Sequence, residues 1–304
     1  MRRILVILGE SMGRFVQATG ALRDIREFHK DSHITLLTTR NLLLLAGHTP
    51  WVDEVIVDKR RPWWHVKDTL HMWRFLRHFH RVYDLQHDVR SQRLCLLGQR
   101  AVWSSMVDDC GYPITAEVLK DFPTVDALRL QLAEAGVPTK HKPDLTFAAT
   151  PGEGALFECG LKPNKFIALI PGSRLAEKAK RWPHYLALGK ELQAHGWPVA
   201  IIGSLDEEHL VRQLAHNLSA PLLFGLPLPE LIGILQHARL AIGNDTGPLH
   251  IATACGVESI LLLGKNTQKF DSRASHLNVL YNAEDIAAIS PQKVHQTVKD
   301  SVGS

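Results

Sequence analysis

The stretch Arg239–Gly264, RLAIGNDTGPLHIATACGVESILLLG, decides how this chain is read. Leu240–Ile242 and Val257–Leu263 are short apolar, β-branched-rich runs of strand length, and the segment between them is one compact helix opened by Asn244-Asp245-Thr246-Gly247-Pro248. In such a strand, loop, helix, strand unit the leading amides of the helix and the positive end of its dipole point beyond the strand end. Thr246 or Gly247 is expected to cap the helix, and Pro248 to take its first position, where a missing N–H costs nothing. His250 adds a titratable donor on the first turn, and Ile251, Ala252, Ala254 and Cys255 allow close packing beneath it. This is the chemistry of an anion site with one carboxylate, Asp245, beside it. A carboxylate repels a phosphate unless it accepts from hydroxyls, so the ligand reads as a phosphate joined to a sugar. A lone D-T-G would more plainly be a helix cap; a second loop supplies the other half of the site.

That loop comes after the apolar run Lys165–Ile170 and reads Pro171-Gly172-Ser173-Arg174, then Lys178-Ala179-Lys180-Arg181-Trp182-Pro183. Ligands of open α/β sheets bind beyond the carboxyl ends of the strands, so the two loops are expected to share one crevice. Ser173 with Lys178, Lys180 and Arg181, opposite a helix N-terminus, offers what a pyrophosphate needs. Trp182-Pro183 should pin the loop.

Strand and helix patterns alternate through both halves, which implies parallel, doubly wound sheets. Arg3–Leu8, His33–Thr38, Glu54–Val57, Arg81–Gln86 and Ala101–Ser104 read as strands of the first half, with helices at Phe15–Phe28, Asn41–Leu45 and Thr124–Ala135. The N-terminal MRRILVILG lacks a cleavage pattern and reads as a buried strand, not a signal peptide. Three prolines and three glycines in Thr139–Asn164 mark the junction, giving domains 1–152 and 153–304. The second half adds helices up to Ala194, after Asp206-Glu207-Glu208, and at Pro229–Ala238, with a strand at Val199–Ile202.

Asp58–Tyr83 interleaves Lys59, Arg60, Arg61, Lys67, Arg74, Arg77 and Arg81 with Trp63, Trp64, Trp73, Phe75 and Phe79. Most of it reads as a crossover helix with its apolar side on the sheet and its basic side in solvent. The Arg60-Arg61-Pro62-Trp63-Trp64 corner is a candidate for contact with an anionic membrane or an acceptor.

The 304 residues are 22% charged and 45% hydrophobic, an ordinary globular balance. No apolar run is long enough to span a bilayer. Cys95, Cys110, Cys159 and Cys255 are scattered, which argues against a disulfide framework or a zinc site and fits a reducing cytoplasm. A formal net charge of +4 gives no reason to expect nucleic acid. No loop offers G-x-G-x-x-G with an acidic residue about 20 positions on, so a nicotinamide-dependent oxidoreductase is disfavoured.

The P-G-S…A-K-R-W-P motif at Pro171–Pro183, I-G-S at Ile202–Ser204 and N-D-T-G-P-L-H-I-A at Asn244–Ala252, with weaker matches at Ser11–Leu22 and His33–Thr39, give the chain its likeness. It resembles the lipopolysaccharide heptosyltransferase family, glycosyltransferase family 9, over nearly its whole length. The resemblance implies a GT-B architecture, two Rossmann-like domains facing a central cleft. It also implies metal-independent, inverting transfer from a nucleotide-sugar, with ADP-heptose as the usual donor and a lipid-linked or oligosaccharide core sugar as acceptor. No cofactor is then expected, and the place of work would be the cytoplasm, peripheral on the inner membrane. Carried over, Lys180 contacts the donor diphosphate with Ser173 near it, Thr246, Gly247 and His250 the phosphates, and Asp245 the sugar hydroxyls. The chain departs from the family where L-G-D normally supplies the catalytic base, with Met12-Gly13-Arg14 there, and again after the last motif, with Gly264-Lys265-Asn266-Thr267 in place of a G-P-[ST] type sequence. Arg14 cannot act as a base, and Glu10 in the same turn is the nearest carboxylate in sequence. The chain is therefore expected to be an active transferase, or an idle relative that binds nucleotide-sugar without transfer.

Overall fold

The computed structural model describes residues 1–9, 11–173, 179–203, 207–265 and 276–303. The chain divides into two compact units, Met1–Pro143 and Asp144–Ser304. The first contains β1 (Arg3–Ile7), α1 (Met12–Phe28), β2 (His33–Thr38), α2 (Leu43–Gly47), β3 (Glu54–Val57), α3 (Val66–Leu76), β4 (Arg81–Asp84), α4 (Val89–Leu97), β5 (Val102–Ser105), β6 (Tyr112–Pro113), α5 (Ala116–Asp121) and α6 (Thr124–Glu134). The second contains α7 (Glu153–Glu158), β7 (Ile167–Ile170), α8 (Tyr185–Ala194), β8 (Val199–Gly203), α9 (Glu208–Leu218), β9 (Leu222–Phe224), α10 (Leu228–Gln236), β10 (Leu240–Asn244), α11 (Gly247–Ala254), β11 (Ser259–Leu263), β12 (Leu277–Tyr281) and α12 (Pro291–Val302).

Each unit carries a six-stranded parallel sheet, ordered β3-β2-β1-β4-β5-β6 and β12-β11-β10-β7-β8-β9. Numbered within its own unit, each is the 3-2-1-4-5-6 order of doubly wound dinucleotide-binding folds, whose crevice opens between the first and fourth strands. The central strands are apolar without alternation because helices cover both faces: β1 and β7 are buried along almost their whole length. Around the second sheet, Ile167, Leu169, Ile201, Leu240, Ile242 and Ile260 pack with Trp182, Tyr185 and the apolar sides of α8, α9 and α12. The first unit builds a comparable core from Leu5, Ile7, Val82, Leu94 and Trp103.

Two differences from the sequence reading have physical causes. The division falls before the expected 152/153 junction, because Asp144–Gly152 docks on the second unit. Thr150 N donates to Pro229 O (3.1 Å), and the Thr150 carbonyl lies against Gly233, where any Cβ would collide with it. The crossover helix expected over Asp58–Tyr83 is confined to α3, and its apolar side does not lie flat on the sheet. Leu76 is its buried residue, Met72 and Phe75 are half-buried, and Val66, Leu70 and Trp73 are exposed. Arg60 adopts a left-handed conformation (φ 49°) ahead of Pro62, so the chain leaves β3 in an irregular turn and α3 begins late.

Candidate functional site

β10 ends at Asn244, a fully buried polar side chain that ties the two expected loops together. Its Oδ1 accepts from Trp182 N (3.1 Å) and from the Tyr185 hydroxyl (3.1 Å), while its Nδ2 donates to the carbonyls of Pro171 and Gly172 (both 3.0 Å). Burial pushes the Tyr185 phenol up, which keeps it a donor. Trp182 is buried and donates its indole N–H to Ile289 O (2.8 Å), so the Lys180–Pro183 arm is pinned as its sequence suggested.

On this frame Asp245 receives two cationic or potentially cationic partners. Lys180 Nζ lies 3.2 Å from Oδ2 and His250 Nε2 lies 3.1 Å from Oδ1. Burial pushes the Asp245 carboxyl up, but the hydrogen bond and charge of His250, joined by those of Lys180, more than offset it, so it ionises below its ordinary range. Thr246 is the N-cap of α11, yet its hydroxyl makes no cap hydrogen bond; it lies 3.4 Å from Asn244 O. Gly247 is the first helical residue and Pro248 the second, one place later than expected; the N–H of that position is also an orphan, so proline is still tolerated there. No described side chain caps this helix start, which leaves its leading amides and dipole directed at the strand end beside Lys180.

Ser173 is buried rather than offered to solvent. Its hydroxyl accepts from Arg181 Nε and its carbonyl from Arg181 Nη2 (both 2.9 Å), so the two residues brace the loop. Lys178, Ser204 and the Asn266-Thr267 part of the tail after the last motif lie outside the described residues, as does Glu10.

In the first unit, the corresponding crevice between β1 and β4 holds Arg14. Ser11 caps α1 by accepting from Arg14 N (3.2 Å), and the guanidinium turns onto β4, donating through Nε to Leu85 O (2.9 Å) and through Nη2 to His87 Nδ1 (2.7 Å). An arginine can only donate, so Nδ1 is the bare nitrogen of His87 and Nε2–H donates to Gln131 Oε1 (2.8 Å). Gln131 in turn donates to the carbonyls of Asp84 (2.8 Å) and Ser104 (3.1 Å). Burial, reinforced by the Arg14 charge, lowers the His87 pKa from 6.5 to about 3, so the ring stays neutral. Asp84, fully buried at the end of β4, accepts from Gln86 N, His87 N and Ser105 Oγ (3.0 Å each), and burial raises its pKa. Gly9 closes the turn after β1: its N–H donates to Gln86 Oε1 (2.8 Å), and a Cβ there would meet the backbone of Thr38 and Thr39.

The structure thus groups Lys180, Asp245, Thr246, Gly247 and His250 in the second unit and places Arg14 in the first. The sequence reading missed Asn244, Tyr185, His87 and Gln131. The available signals were one amide closing an apolar strand at Asn244, and the polar run Asp84-Leu85-Gln86-His87-Asp88 after another. All four cysteines are free, and among the described residues no His, Cys, Asp or Glu group is arranged to hold a metal ion.

Residues 72–297 match the model of glycosyltransferase family 9 (heptosyltransferase). Lipooligosaccharide heptosyltransferase 2 of Haemophilus influenzae is 30% identical over 113 residues, covering 34% of this chain and 32% of that protein. In such sequence alignments the chain spans about a third of the length of the curated relatives. The fold match is nearly complete. A glycosyl transferase family 9 structure from Veillonella parvula aligns over 99% of this chain and 97% of its own with a TM-score of 0.81 at 18% identity. The E. coli heptosyltransferase WaaC, solved with ADP-2-deoxy-2-fluoro heptose, aligns over 98% and 99% with a TM-score of 0.75 at 18% identity. The fold is that of the GT-B heptosyltransferases, built from Rossmann-like α/β units, and the chain belongs to glycosyltransferase family 9, the heptosyltransferases.

Proposed function

We propose that this protein is a metal-independent, inverting glycosyltransferase that moves a sugar, heptose, from an ADP-sugar to a lipopolysaccharide-core or related cell-surface glycan. The observation that carries this reading is the Lys180–Asp245–His250 cluster at the start of α11, which no described side chain caps. In this role Lys180, His250 and the Thr246–Gly247 amides hold the diphosphate, with Ser173 bracing the loop, and Asp245 accepts from sugar hydroxyls. The acceptor hydroxyl attacks the anomeric carbon from the face opposite the diphosphate, gives its proton to a base, and the bond to the diphosphate oxygen breaks as ADP leaves with the electron pair. The developing charge on ADP falls on Lys180 and the helix start. Glu10 is the proposed base, and Arg14, held toward His87, is the proposed clamp for an anionic acceptor group.

The second reading, a relative that binds nucleotide-sugar without transfer, is favoured by one observation: at the position of the family's base stands Arg14, already donating to Leu85 O and His87. Calorimetry with ADP and ADP-sugars, with transfer products followed by mass spectrometry, separates the two. Lys180→Ala should weaken ADP binding about ten- to a hundredfold, and unchanged affinity sinks the donor site. Glu10→Gln should lower kcat about 10²–10⁴-fold with donor affinity intact. Clear ADP-sugar binding with no transfer to any acceptor gives the second reading.

The place of work is proposed to be the cytoplasmic side of an anionic membrane. Among the described residues no helix is long and apolar enough to cross a bilayer. Trp63 and Trp64 are 64% and 65% exposed beside Arg60 and Arg61, and Val66, Leu70 and Trp73 continue that apolar stripe along α3 among Lys67, Arg74 and Arg77. Co-sedimentation with phosphatidylglycerol vesicles should fall with salt and with Arg60/Arg61→Ala; no binding at low salt removes this location.

A further inference from the structure

Between α3 and α4 the first unit contains an open-sided cavity of about 790 Å³ that the donor chemistry does not use. Its apolar wall is the buried Leu94 together with Ile56, Met72, Phe75 and Leu97, which pack on the edge of the core and stay only half-covered. This is why α3 buries so little: the helix stands off the sheet and its inner face borders empty space. The mouth is of the opposite character. Trp63 and Trp64, edge to face at 6.1 Å, stand there with Arg60, Arg61 and Arg93. Five cationic side chains, Lys59, Arg60, Arg61, Arg90 and Arg93, line the cavity against three carboxylates, Asp58, Asp68 and Asp88. The carboxylates are paired with Arg90, Arg61 and Arg60, so Lys59 and Arg93 carry the surplus charge.

A cavity within the range of small-molecule pockets, apolar along one wall and lined elsewhere by indoles and a surplus of positive charge, matches an amphiphile with one hydrocarbon tail and an anionic head. We propose that this cavity binds a single acyl chain of an anionic lipid, the tail against Met72, Phe75 and Leu97 and the phosphate at Arg93 and Lys59. Open apolar wall is removed from water by the tail, and each methylene buried strengthens binding until the cavity is full. A phosphate alone gains only the exposed cations at the rim. The chain therefore dominates affinity and the head selects charge.

The test uses the full protein without nucleotide, so that its failure leaves the donor-site reading untouched. Decanoyl, lauroyl and myristoyl lysophosphatidylglycerol, below their micelle thresholds, are titrated by tryptophan fluorescence and native mass spectrometry. Affinity should rise about fourfold per added methylene, equivalent to about 0.8 kcal/mol, and one lipid should bind per chain. Met72→Trp, which fills the cavity from α3, should weaken binding about tenfold or more; Leu97→Trp fills it from α4 and serves if the first variant does not fold. Arg93→Ala should weaken the anionic lipid severalfold and leave the uncharged monoacylglycerol of the same chain length unchanged. Glycerol phosphate binding as well as the lipids, affinity indifferent to chain length, or binding indifferent to both tryptophan variants overturns the proposal. An acylated glucosamine phosphate run alongside distinguishes the source of the chain: tighter binding than the lysolipid assigns the cavity to a glycolipid acceptor, equal or weaker binding to bilayer lipid.

Discussion

β4 and β10 hold the same fourth place in their sheets, and each ends in a fully buried polar residue, Asp84 in one and Asn244 in the other. The helix starts beyond the two strands differ. After β4, Asp88 caps α4 in a reciprocal box with Ser91, accepting from Ser91 N (2.7 Å) while Ser91 Oγ accepts from Asp88 N (3.0 Å), and Arg14, neutral His87 and Gln131 fill the crevice. After β10, no described side chain caps α11, and the charges beside it, Lys180 and Asp245, remain partly accessible. One fold thus yields a crevice closed by the protein's own hydrogen bonds and one whose helix start no described side chain caps. A parallel sheet supplies the position; the few residues at the helix start decide whether a ligand is needed to complete it.

The closed side should show itself most strongly in acid. His87, with a pKa near 3 in the fold and 6.5 when unfolded, takes up a proton far more readily in the unfolded chain. Stability should therefore be fully present above pH 6.5 and fall as pH drops toward 3, by about 1.4 kcal/mol per unit for this group, with His29, lowered to about 4 chiefly by burial, acting in the same sense. Urea midpoints at pH 7, 6 and 5 should lose most of that slope in His87→Gln, and an unaltered slope means the ring is not held neutral by its site. On the open side, Asn244→Ala should cost about 3 kcal/mol in chemical denaturation, since four partners lose their hydrogen bonds inside the fold. A cost below about 1 kcal/mol would mean that the loops hold without it. Asp88→Ala should cost about 1–2 kcal/mol through loss of the capping box. Thr246→Ala, at the matching helix start, should change stability by only a few tenths of a kcal/mol while weakening ADP binding. Equal losses at the two caps would erase the distinction between closed and open.

The parts of the fold legible in the sequence were those specified by local pattern. β2 and β3 have the bounds their apolar runs suggested, α8 ends at Ala194 as read, and α1, α6 and α10 differ by a few residues at their ends. The two- and three-residue edge strands β6 and β9 are too short to show a period, and in α4 the sequence Arg90-Ser91-Gln92-Arg93 interrupts the apolar spacing. The site divides in the same way. Asp245 through His250 could be read because cap, proline and histidine lie within six consecutive residues. Asn244 and His87 act on partners that sequence places far away, at Pro171–Tyr185 and at Arg14 and Gln131, so only the folded chain reveals them.

The stripe of Trp63, Val66, Leu70 and Trp73 also governs how the protein behaves in a test tube. In lipid-free buffer these side chains are expected to make an adhesive face, with repulsion among Lys67, Arg74 and Arg77 keeping two such faces apart. Added salt shortens the reach of that repulsion and leaves the apolar attraction in place. Colloidal stability should therefore fall as ionic strength rises, the reverse of what is expected for a protein clumping through opposite charges, and mild detergent rather than salt should keep it dispersed.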